Sequence, residues 1–392
     1  MLNSIACMML CGMFLGWVCK KIKFPSLFGM IITGIILGPH VLDLIDGSIL
    51  GISSELRRIA LIIILIRAGL SLNIADLKKV GRPAVLMCFL PACFEMVGMV
   101  LLAPALLGVT TLDAAIMGAV VAAVSPAVIV PKMLKLMEEG YGTRESIPQL
   151  ILAGASVDDV FVIVIFSTFT GLAQGSSISV KSLVNIPVSI LVGALVGGIT
   201  GVLLARFFAN LHMRDTVKVV ILLSVSFFMV TFEDRFGEVI PFASLIAVMC
   251  MGIFLQRKRE VVAGRLSVKF NKLWIMAEVM LFVLVGATVD LSNAMTAGIY
   301  AIVLIFGVLV FRMAGVFVCL LGTKLNAKER IFCMLAYTPK ATVQAAIGGL
   351  PLAMGLGCGN IVLTVSVLAI LITAPLGAFA IDCTYKKCLT RG

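Results

Sequence analysis

Long apolar runs separated by short polar breaks dominate this sequence of 392 residues. The hydrocarbon core of a bilayer is about 30 Å thick and takes roughly 20 apolar residues per helix, which is the usual length of these runs. Because 61% of the residues are hydrophobic and only 13% are charged, a water-soluble fold could not cover its surface with polar groups. An α-helix satisfies its own backbone in lipid, so the sequence predicts an all-α polytopic membrane protein with about 13 transmembrane helices. The predicted spans are residues 2–19, 24–38, 58–72, 83–107, 112–137, 146–171, 183–209, 216–232, 239–256, 266–289, 296–322, 328–350 and 360–383.

What remains outside the apolar runs argues against several classes of protein. No stretch is long enough for a soluble catalytic domain. The first run has neither a basic leader nor a small-residue cleavage site, so we expect a membrane span and not a signal peptide. The 11 cysteines and the two histidines, His40 and His212, lack the spacing of metal ligands or of a disulfide framework. We therefore expect no enzyme, no cofactor and no metal catalysis.

The basic residues are divided unevenly between the two sets of alternating connections. The net charge is +11, and of the 31 Lys and Arg residues 24 fall in one set, four in the other and three inside spans. Basic loops of this kind set the orientation of a membrane protein, which explains the charge without a nucleic-acid partner. We expect a multi-pass protein of the cell (inner) membrane with its N-terminus outside and its C-terminus in the cytoplasm.

A short pattern recurs in two spans and indicates an inverted repeat. Ser125-Pro126 in the fifth span corresponds to Thr338-Pro339 in the twelfth, seven helices later. Since seven is odd, the two copies must cross the membrane in opposite directions. Proline removes a backbone donor and clashes with the preceding turn, so we expect Pro126, Pro339 and the second proline of the fifth span, Pro131, to interrupt their helices near mid-membrane. Two ordinary proline kinks are the alternative.

Seven ionisable residues inside the predicted spans require a partner or a role in transport. A central Asp, Lys or Arg costs at least about 2.5 kcal/mol in hydrocarbon, so we expect each central charge to be paired or to face a water-filled site. Residues near span ends can pair locally or reach water. The two near span ends are Arg67 and Glu278, and the central five are Glu95, Asp158, Asp159, Arg312 and Lys340.

Asp158 and Asp159 stand side by side near the middle of the sixth span. Consecutive helix positions diverge by about 100°, so the two carboxyl groups do not face each other, as those of an intramembrane aspartic protease must, but both can line a cavity. A carboxylate there can hold either a proton or a desolvated monovalent cation, and competition between the two is the chemistry of exchange. A pair locked in structural salt bridges is the alternative.

Three further central charges are predicted to support the carboxylates. Glu95 and Arg312 occupy corresponding places in the two repeats, and we predict an ion pair between them that holds the repeats together. Lys340 directly follows Pro339, where its charge can neutralise converging carbonyl ends or face Asp158.

Four motifs in these spans resemble those of the cation/proton antiporter superfamily. They are residues 65–70, 123–131, 155–159 and 338–348, and the Pro-Lys-Ala-Thr-Val-Gln-Ala-Ala run of the last motif is the most specific. The likeness extends from about Ile59 to Leu376 and is greatest to the branch of sodium/proton antiporters that includes the animal mitochondrial and plasma-membrane NHA exchangers.

The resemblance implies a homodimer built on a scaffold, a mobile core and a linker helix. The core, residues 83–171 and 296–385, would make an elevator-like shift against the scaffold, residues 1–80 and 213–295, with residues 183–209 as the linker. The resemblance also implies that the fifth and twelfth spans are discontinuous and cross each other within the core.

The aspartate motif of this superfamily maps onto Asp158 and Asp159. It implies direct coordination of Na⁺ or Li⁺ by Asp159, with Asp158 as a modulator and with help from Ser125, Ser156 and freed carbonyl groups. Members with two adjacent aspartates are often electrogenic and carry a lysine in the eleventh span, where this sequence has Arg312. Because an arginine does not release its proton, two-for-one electrogenic exchange is in doubt.

The sequence thus predicts a secondary transporter that exchanges Na⁺ or Li⁺ for H⁺, with monovalent cations, protons and the lipid bilayer as its partners. A K⁺/H⁺ exchanger uses the same features and stays open, while the acidic pair argues against a sodium-coupled organic-anion symporter. A passive channel and an intramembrane aspartic protease are the remaining alternatives.

Overall fold

The structure, a computed structural model, describes residues 1–22, 24–71, 81–174, 180–211, 213–237, 240–288 and 291–391, without the side chains of residues 156, 160, 180–187 and 291–297. These residues form eighteen α-helices and no β-strand. Every predicted span overlaps at least one helix, which confirms the all-α prediction. The helices are α1 (Leu2–Lys21), α2 (Ser26–Leu37), α3 (Gly47–Gly51), α4 (Ser53–Ser71), α5 (Arg82–Met87), α6 (Leu90–Leu107), α7 (Thr111–Val121), α8 (Pro126–Glu139), α9 (Ile147–Ala173), α10 (Val180–Asn210), α11 (Asp215–Phe236), α12 (Ser244–Lys258), α13 (Glu260–Ala287), α14 (Leu291–Cys319), α15 (Ala327–Ala336), α16 (Thr342–Ile347), α17 (Leu350–Ala353) and α18 (Gly359–Cys388).

Most of the helical sequence is long and apolar enough to cross a bilayer. Two shorter apolar stretches, Ser26–Leu37 and Thr342–Ala353, accompany the long ones. Within the described ranges, nine stretches have the length and composition of a membrane span: Leu2–Lys21, Arg82–Leu107, Thr111–Glu139, Ile147–Ala173, Val188–Asn210, Asp215–Phe236, Glu260–Ala287, Gly298–Cys319 and Gly359–Cys388.

Three predicted spans are each built from more than one helix. The fourth is interrupted at residues 88–89, the fifth at residues 122–125 and the twelfth at residues 337–341. A proline lies in the first turn of the helix that follows the first two interruptions, Pro91 in α6 and Pro126 in α8, where its missing N–H leaves no intrahelical bond unmade. The structure differs from the sequence prediction at Pro131, through which α8 continues, because a single absent donor leaves one carbonyl unpaired without forcing the helix to end.

The chain divides into two compact units. Unit 1 contains Met1–Arg57, Asp76–Ala173 and Val279–Gly392, and unit 2 contains Arg58–Ala75 and Gln174–Glu278. In unit 1, residues of α8, α9, α14, α15 and α18 form a buried apolar cluster around Phe332 and Tyr337. The division of the chain into scaffold, core and linker segments stays a prediction.

Unit 2 depends on a close approach of α10 and α12. Gly193, Gly197 and Gly201 lie one turn apart on α10, and only a residue without a Cβ atom permits such backbone contact. The residue numbers rise together along both helices, so α10 and α12 run in the same direction in a constant register. A Cβ atom on each glycine would lie 2.5, 2.2 and 2.5 Å, respectively, from the carbonyl oxygens of Ala243, Ala247 and Met251.

Candidate functional site

The two proline-containing breaks of unit 1 meet each other. One separates α7 from α8 at residues 122–125, and the other separates α15 from α16 at residues 337–341. The Ser125 N–H donates a hydrogen bond of 2.8 Å to the Pro339 carbonyl, so the breaks are joined through their backbones. Each break frees backbone groups from the helix, and buried groups of this kind need other partners.

Gln344 of α16 provides partners for carbonyl groups at the end of α7. Its Nε2 donates to the carbonyl oxygens of Val120, Val121 and Ala123 at 3.2, 3.0 and 2.8 Å. An amide nitrogen carries two hydrogens, so at least one hydrogen is shared between two acceptors. The sequence places Gln344 in a specific motif without giving it a role. The sequence signal that could have indicated a role for Gln344 is a single amide side chain in an apolar segment next to a helix break.

Arg312 of α14 is fully buried and contacts both breaks. Its Nε donates to the Tyr337 carbonyl at 2.6 Å, and its Nη1 donates to the Ala122 carbonyl, which the end of α7 leaves without a helical donor. The guanidinium carbon also lies 5.0 Å from the centroid of the Tyr337 ring. The five donors of a planar guanidinium make this combination of contacts possible.

Arg312 also pairs with two carboxylates. Its Nη1 lies 2.8 Å from Glu95 Oε2 and its Nη2 lies 3.0 Å from Asp158 Oδ2. The predicted ion pair between Glu95 and Arg312 is therefore present, whereas the sequence leaves the contact with Asp158 open. Asp158 Oδ2 also accepts a hydrogen bond of 2.8 Å from the Val124 N–H in the first break. The charge of Asp158 is thus balanced inside unit 1.

Lys340 pairs with Glu95, which differs from the two positions expected from the sequence. Its Nζ lies 2.5 Å from Glu95 Oε2, and its backbone N–H donates to Thr373 Oγ1 at 2.9 Å. Arg312 already occupies the place beside Asp158 and the carbonyl ends, and Lys340 shares Glu95 Oε2 with it. The side chains of Glu95, Arg312 and Lys340 are all 0% exposed, so water does not screen the attraction between their charges.

Asp159 is the buried acid that remains without a counter-charge. It is 6% exposed, forms no ion pair with a described residue and has an Oδ1 atom without a hydrogen-bond partner. Carboxylate, hydroxyl and amide oxygens are the ligands that hard cations prefer. Five further oxygens of the charge cluster and the breaks are buried and have no partner among the described residues: Glu95 Oε1, Ser125 Oγ, Asp158 Oδ1, Thr342 Oγ1 and Gln344 Oε1.

Two residues singled out in the sequence lie beyond what is described. The side chain of Ser156, a predicted ligand, and the whole of His212 are outside the described parts. His40 is exposed. Among the described residues, no group of three or more His, Cys, Asp or Glu side chains has the geometry of a metal site.

Comparisons with known proteins find relatives along most of the chain. The family model for the transmembrane part of sodium/hydrogen exchangers matches residues 6–386. Sodium/hydrogen exchanger 9B2 of Xenopus tropicalis is 32% identical over 400 residues, covering 96% of this chain and 72% of the relative. The human protein of the same name is 33% identical over 377 residues, covering 91% of this chain and 68% of the relative.

The fold is similar to that of a solved antiporter. The structure of the sodium proton antiporter MjNhaP1 from Methanocaldococcus jannaschii at pH 8 matches with a TM-score of 0.86 and 20% sequence identity, over 99% of this chain and 98% of that chain. At this identity the match concerns the fold alone. From the family model and the relatives above 30% identity, we conclude that the chain belongs to the sodium/hydrogen exchanger family of multi-pass membrane proteins.

Proposed function

We propose that this protein exchanges Na⁺ for H⁺ across a membrane, with Asp159 as the group that carries them alternately. The observation that carries the proposal is a buried acid without a counter-charge among the described residues, directly after the paired Asp158 on α9. A desolvated carboxylate is stable only when a proton or a cation neutralises it. Binding of one excludes the other, and this competition couples the two flows.

The proposed ligands of Na⁺ or Li⁺ are oxygen atoms from α9 and from the first break. They are the free Oδ1 atoms of Asp159 and Asp158, the hydroxyl of Ser125 and the hydroxyl of Ser156. The buried, unpartnered state of the first three oxygens supports this set, because a cation compensates acceptors that no donor reaches. Thr342 Oγ1 is a further candidate from the second broken span.

Charge balance supports a one-for-one exchange. The buried cluster contains three acids and two bases, so its net charge is −1 when all five are ionised. One proton or one monovalent cation makes it neutral. Arg312 keeps its charge throughout and therefore releases no proton. The five residues of the cluster are Glu95, Asp158, Asp159, Arg312 and Lys340.

The proposal includes how the site changes sides of the membrane. Residues 83–171 and 296–385 move as a core in an elevator-like shift against a dimeric scaffold of residues 1–80 and 213–295, and residues 183–209 link the two. The backbone bond between the breaks supports movement of both broken spans as one piece. The protein lies in the cell membrane with its N-terminus outside and its C-terminus in the cytoplasm.

The test is cation-driven proton flux in proteoliposomes, with Na⁺, Li⁺ and K⁺ offered separately across pH. We expect Na⁺ and Li⁺ to drive proton movement by the wild type. Asp159→Asn should abolish it, because a neutral amide neither takes up a proton nor balances the charge of a cation. Asp158→Asn removes one partner of Arg312, so we expect a slower exchange with a changed pH dependence.

Asp382→Asn is the matched control, because Asp382 is an exposed carboxylate paired with Lys132, and this variant should exchange like the wild type. Full pH-coupled exchange by Asp159→Asn would contradict the site assignment. Proton movement driven by K⁺ but not by Na⁺ would favour the K⁺/H⁺ exchanger. Na⁺ flux without proton movement would identify a channel.

A further inference from the structure

An apolar groove runs along the outer face of α10 in unit 2. It has a volume of about 330 Å³ and lies between one face of α10 and the side chain of Phe254 on α12. Gly198 leaves part of this space open, since a Cβ atom there would lie 3.2 Å from the Phe254 ring. Leu195, Ile199 and Leu203 line the groove and are 65%, 59% and 56% exposed, so no side chain of the described residues fills it.

The length of the groove suits one leaflet of a bilayer. Its lining extends along α10 from Ala194 to Arg206, which at 1.5 Å per residue is about 18 Å. Half of the hydrocarbon core of a bilayer measures about 15 Å. A single acyl chain lying parallel to α10 can therefore occupy the groove from mid-membrane to the headgroup level.

One end of the groove is basic. Arg206 lines it directly. The contact of Gly201 with Met251 sets the register of the two parallel helices, so Arg257 and Lys258 in the last turn of α12 stand at the same end as Arg206. All three cations are exposed, and none forms an ion pair with a described residue of unit 2.

We propose that this groove binds an anionic phospholipid, with an acyl chain along α10 and the phosphate between Arg206, Arg257 and Lys258. Basic clusters at the ends of membrane helices recognise acidic headgroups, and each Lys or Arg raises the affinity about fivefold. A zwitterionic lipid supplies the same chain but brings a positive group towards three cations. A soluble anion supplies the charge but leaves the apolar groove unfilled.

The test measures lipid binding to the full-length protein in detergent and does not depend on transport, so it can fail or succeed separately from the proposed exchange. Native mass spectrometry and thermal melting are recorded with phosphatidylglycerol and with phosphatidylcholine of the same acyl chains. We expect phosphatidylglycerol to stay bound and raise the melting temperature, and phosphatidylcholine to do neither. The triple variant Arg206→Gln/Arg257→Gln/Lys258→Gln should bind phosphatidylglycerol about 100-fold more weakly.

Two further variants separate a specific site from general surface charge. Lys324→Gln/Lys328→Gln/Lys387→Gln removes three exposed lysines of unit 1 and should bind like the wild type; an equal loss in both triple variants would overturn the proposal. Ile199→Trp fills the groove from its open side and should weaken phosphatidylglycerol binding with all three cations present. Equal binding of the two lipids, or equal stabilisation by inorganic phosphate, would also overturn it.

Discussion

A single guanidinium group holds the charge balance of the site. Arg312 contacts Glu95, Asp158 and one carbonyl from each helix break. Glu95 Oε2 in turn forms ion pairs with both Arg312 and Lys340. Removing one charge from a buried network leaves its partner uncompensated. The stability lost in this way is larger than the stability that the intact network provides over apolar side chains of similar size.

This network predicts a strong coupling between Glu95 and Arg312. Glu95→Gln and Arg312→Gln should each lower the stability by about 3–5 kcal/mol, and the double variant should recover part of the loss, because it removes one charge of each sign. The measurement is a double-mutant cycle of thermal stability in detergent, in which contacting residues show coupling of about 0.5–3 kcal/mol. Additive losses would speak against the pair, and Lys324→Gln serves as an exposed control.

The sequence identifies the charged residues of the site but not all of their partners. Charges inside apolar runs are detectable because hydrocarbon makes them costly, and the matched places of Glu95 and Arg312 in the two repeats predict their pairing. The contact of Arg312 with Asp158 could not be predicted, because it depends on the tertiary packing that aims a long side chain. The partner of Lys340 was missed for the same reason.

At the scale of elements, the helix ends at the interruptions leave acceptors that distant side chains occupy. The last carbonyl groups of a helix that ends have no intrahelical donor. The Tyr337 hydroxyl donates to the Met87 carbonyl, four residues before Pro91, at 2.9 Å. Arg312 donates to the carbonyl four residues before Pro126. The first half of the chain thus provides the acceptors, and the second half provides the donors.

The contact between α16 and α7 predicts that Gln344 influences cation selectivity. Gln344→Leu removes the donor of three carbonyl oxygens, which should cost about 1–3 kcal/mol of stability and free these oxygens to act as additional ligands. We expect weaker discrimination of Na⁺ against K⁺, measured as the ratio of apparent KM values in the flux assay. Gln256→Leu on α12 is the control. Lower stability with an unchanged KM ratio would limit Gln344 to a structural role.

The existence of the helices was predictable, but their interruptions were predicted only in part. Apolar runs of membrane length leave the backbone no alternative to a helix, and the Ser/Thr-Pro pattern predicted the breaks near Pro126 and Pro339. The interruption at residues 88–89 was missed although Pro91 follows it. A proline alone does not decide the outcome, as the continuous helix through Pro131 illustrates, because tertiary donors determine whether a freed carbonyl is tolerated.

For the whole molecule, the charge count predicts electroneutral transport. If one Na⁺ replaces one H⁺ at a cluster of net charge −1, no net charge crosses the membrane in a cycle. Moving one elementary charge across a membrane potential of 100 mV changes its free energy by about 2.3 kcal/mol. The transport rate of an electrogenic exchanger would therefore depend strongly on the potential. We expect proton flux in proteoliposomes to be the same with and without an imposed potential. A faster proton flux at an inside-negative potential would contradict one-for-one exchange at a cluster of net charge −1.

The five charges of the site are divided between the two halves of the chain. Glu95, Asp158 and Asp159 belong to the first half, and Arg312 and Lys340 belong to the second. During synthesis the three acids therefore enter the membrane before the two bases of the site exist, and the first half must wait with the acids of the site unpaired. Arrival of the second half supplies the missing counter-charges. A chain that stops before Arg312 keeps these three acids without the two bases of the site, and leaving buried charges uncompensated is costly.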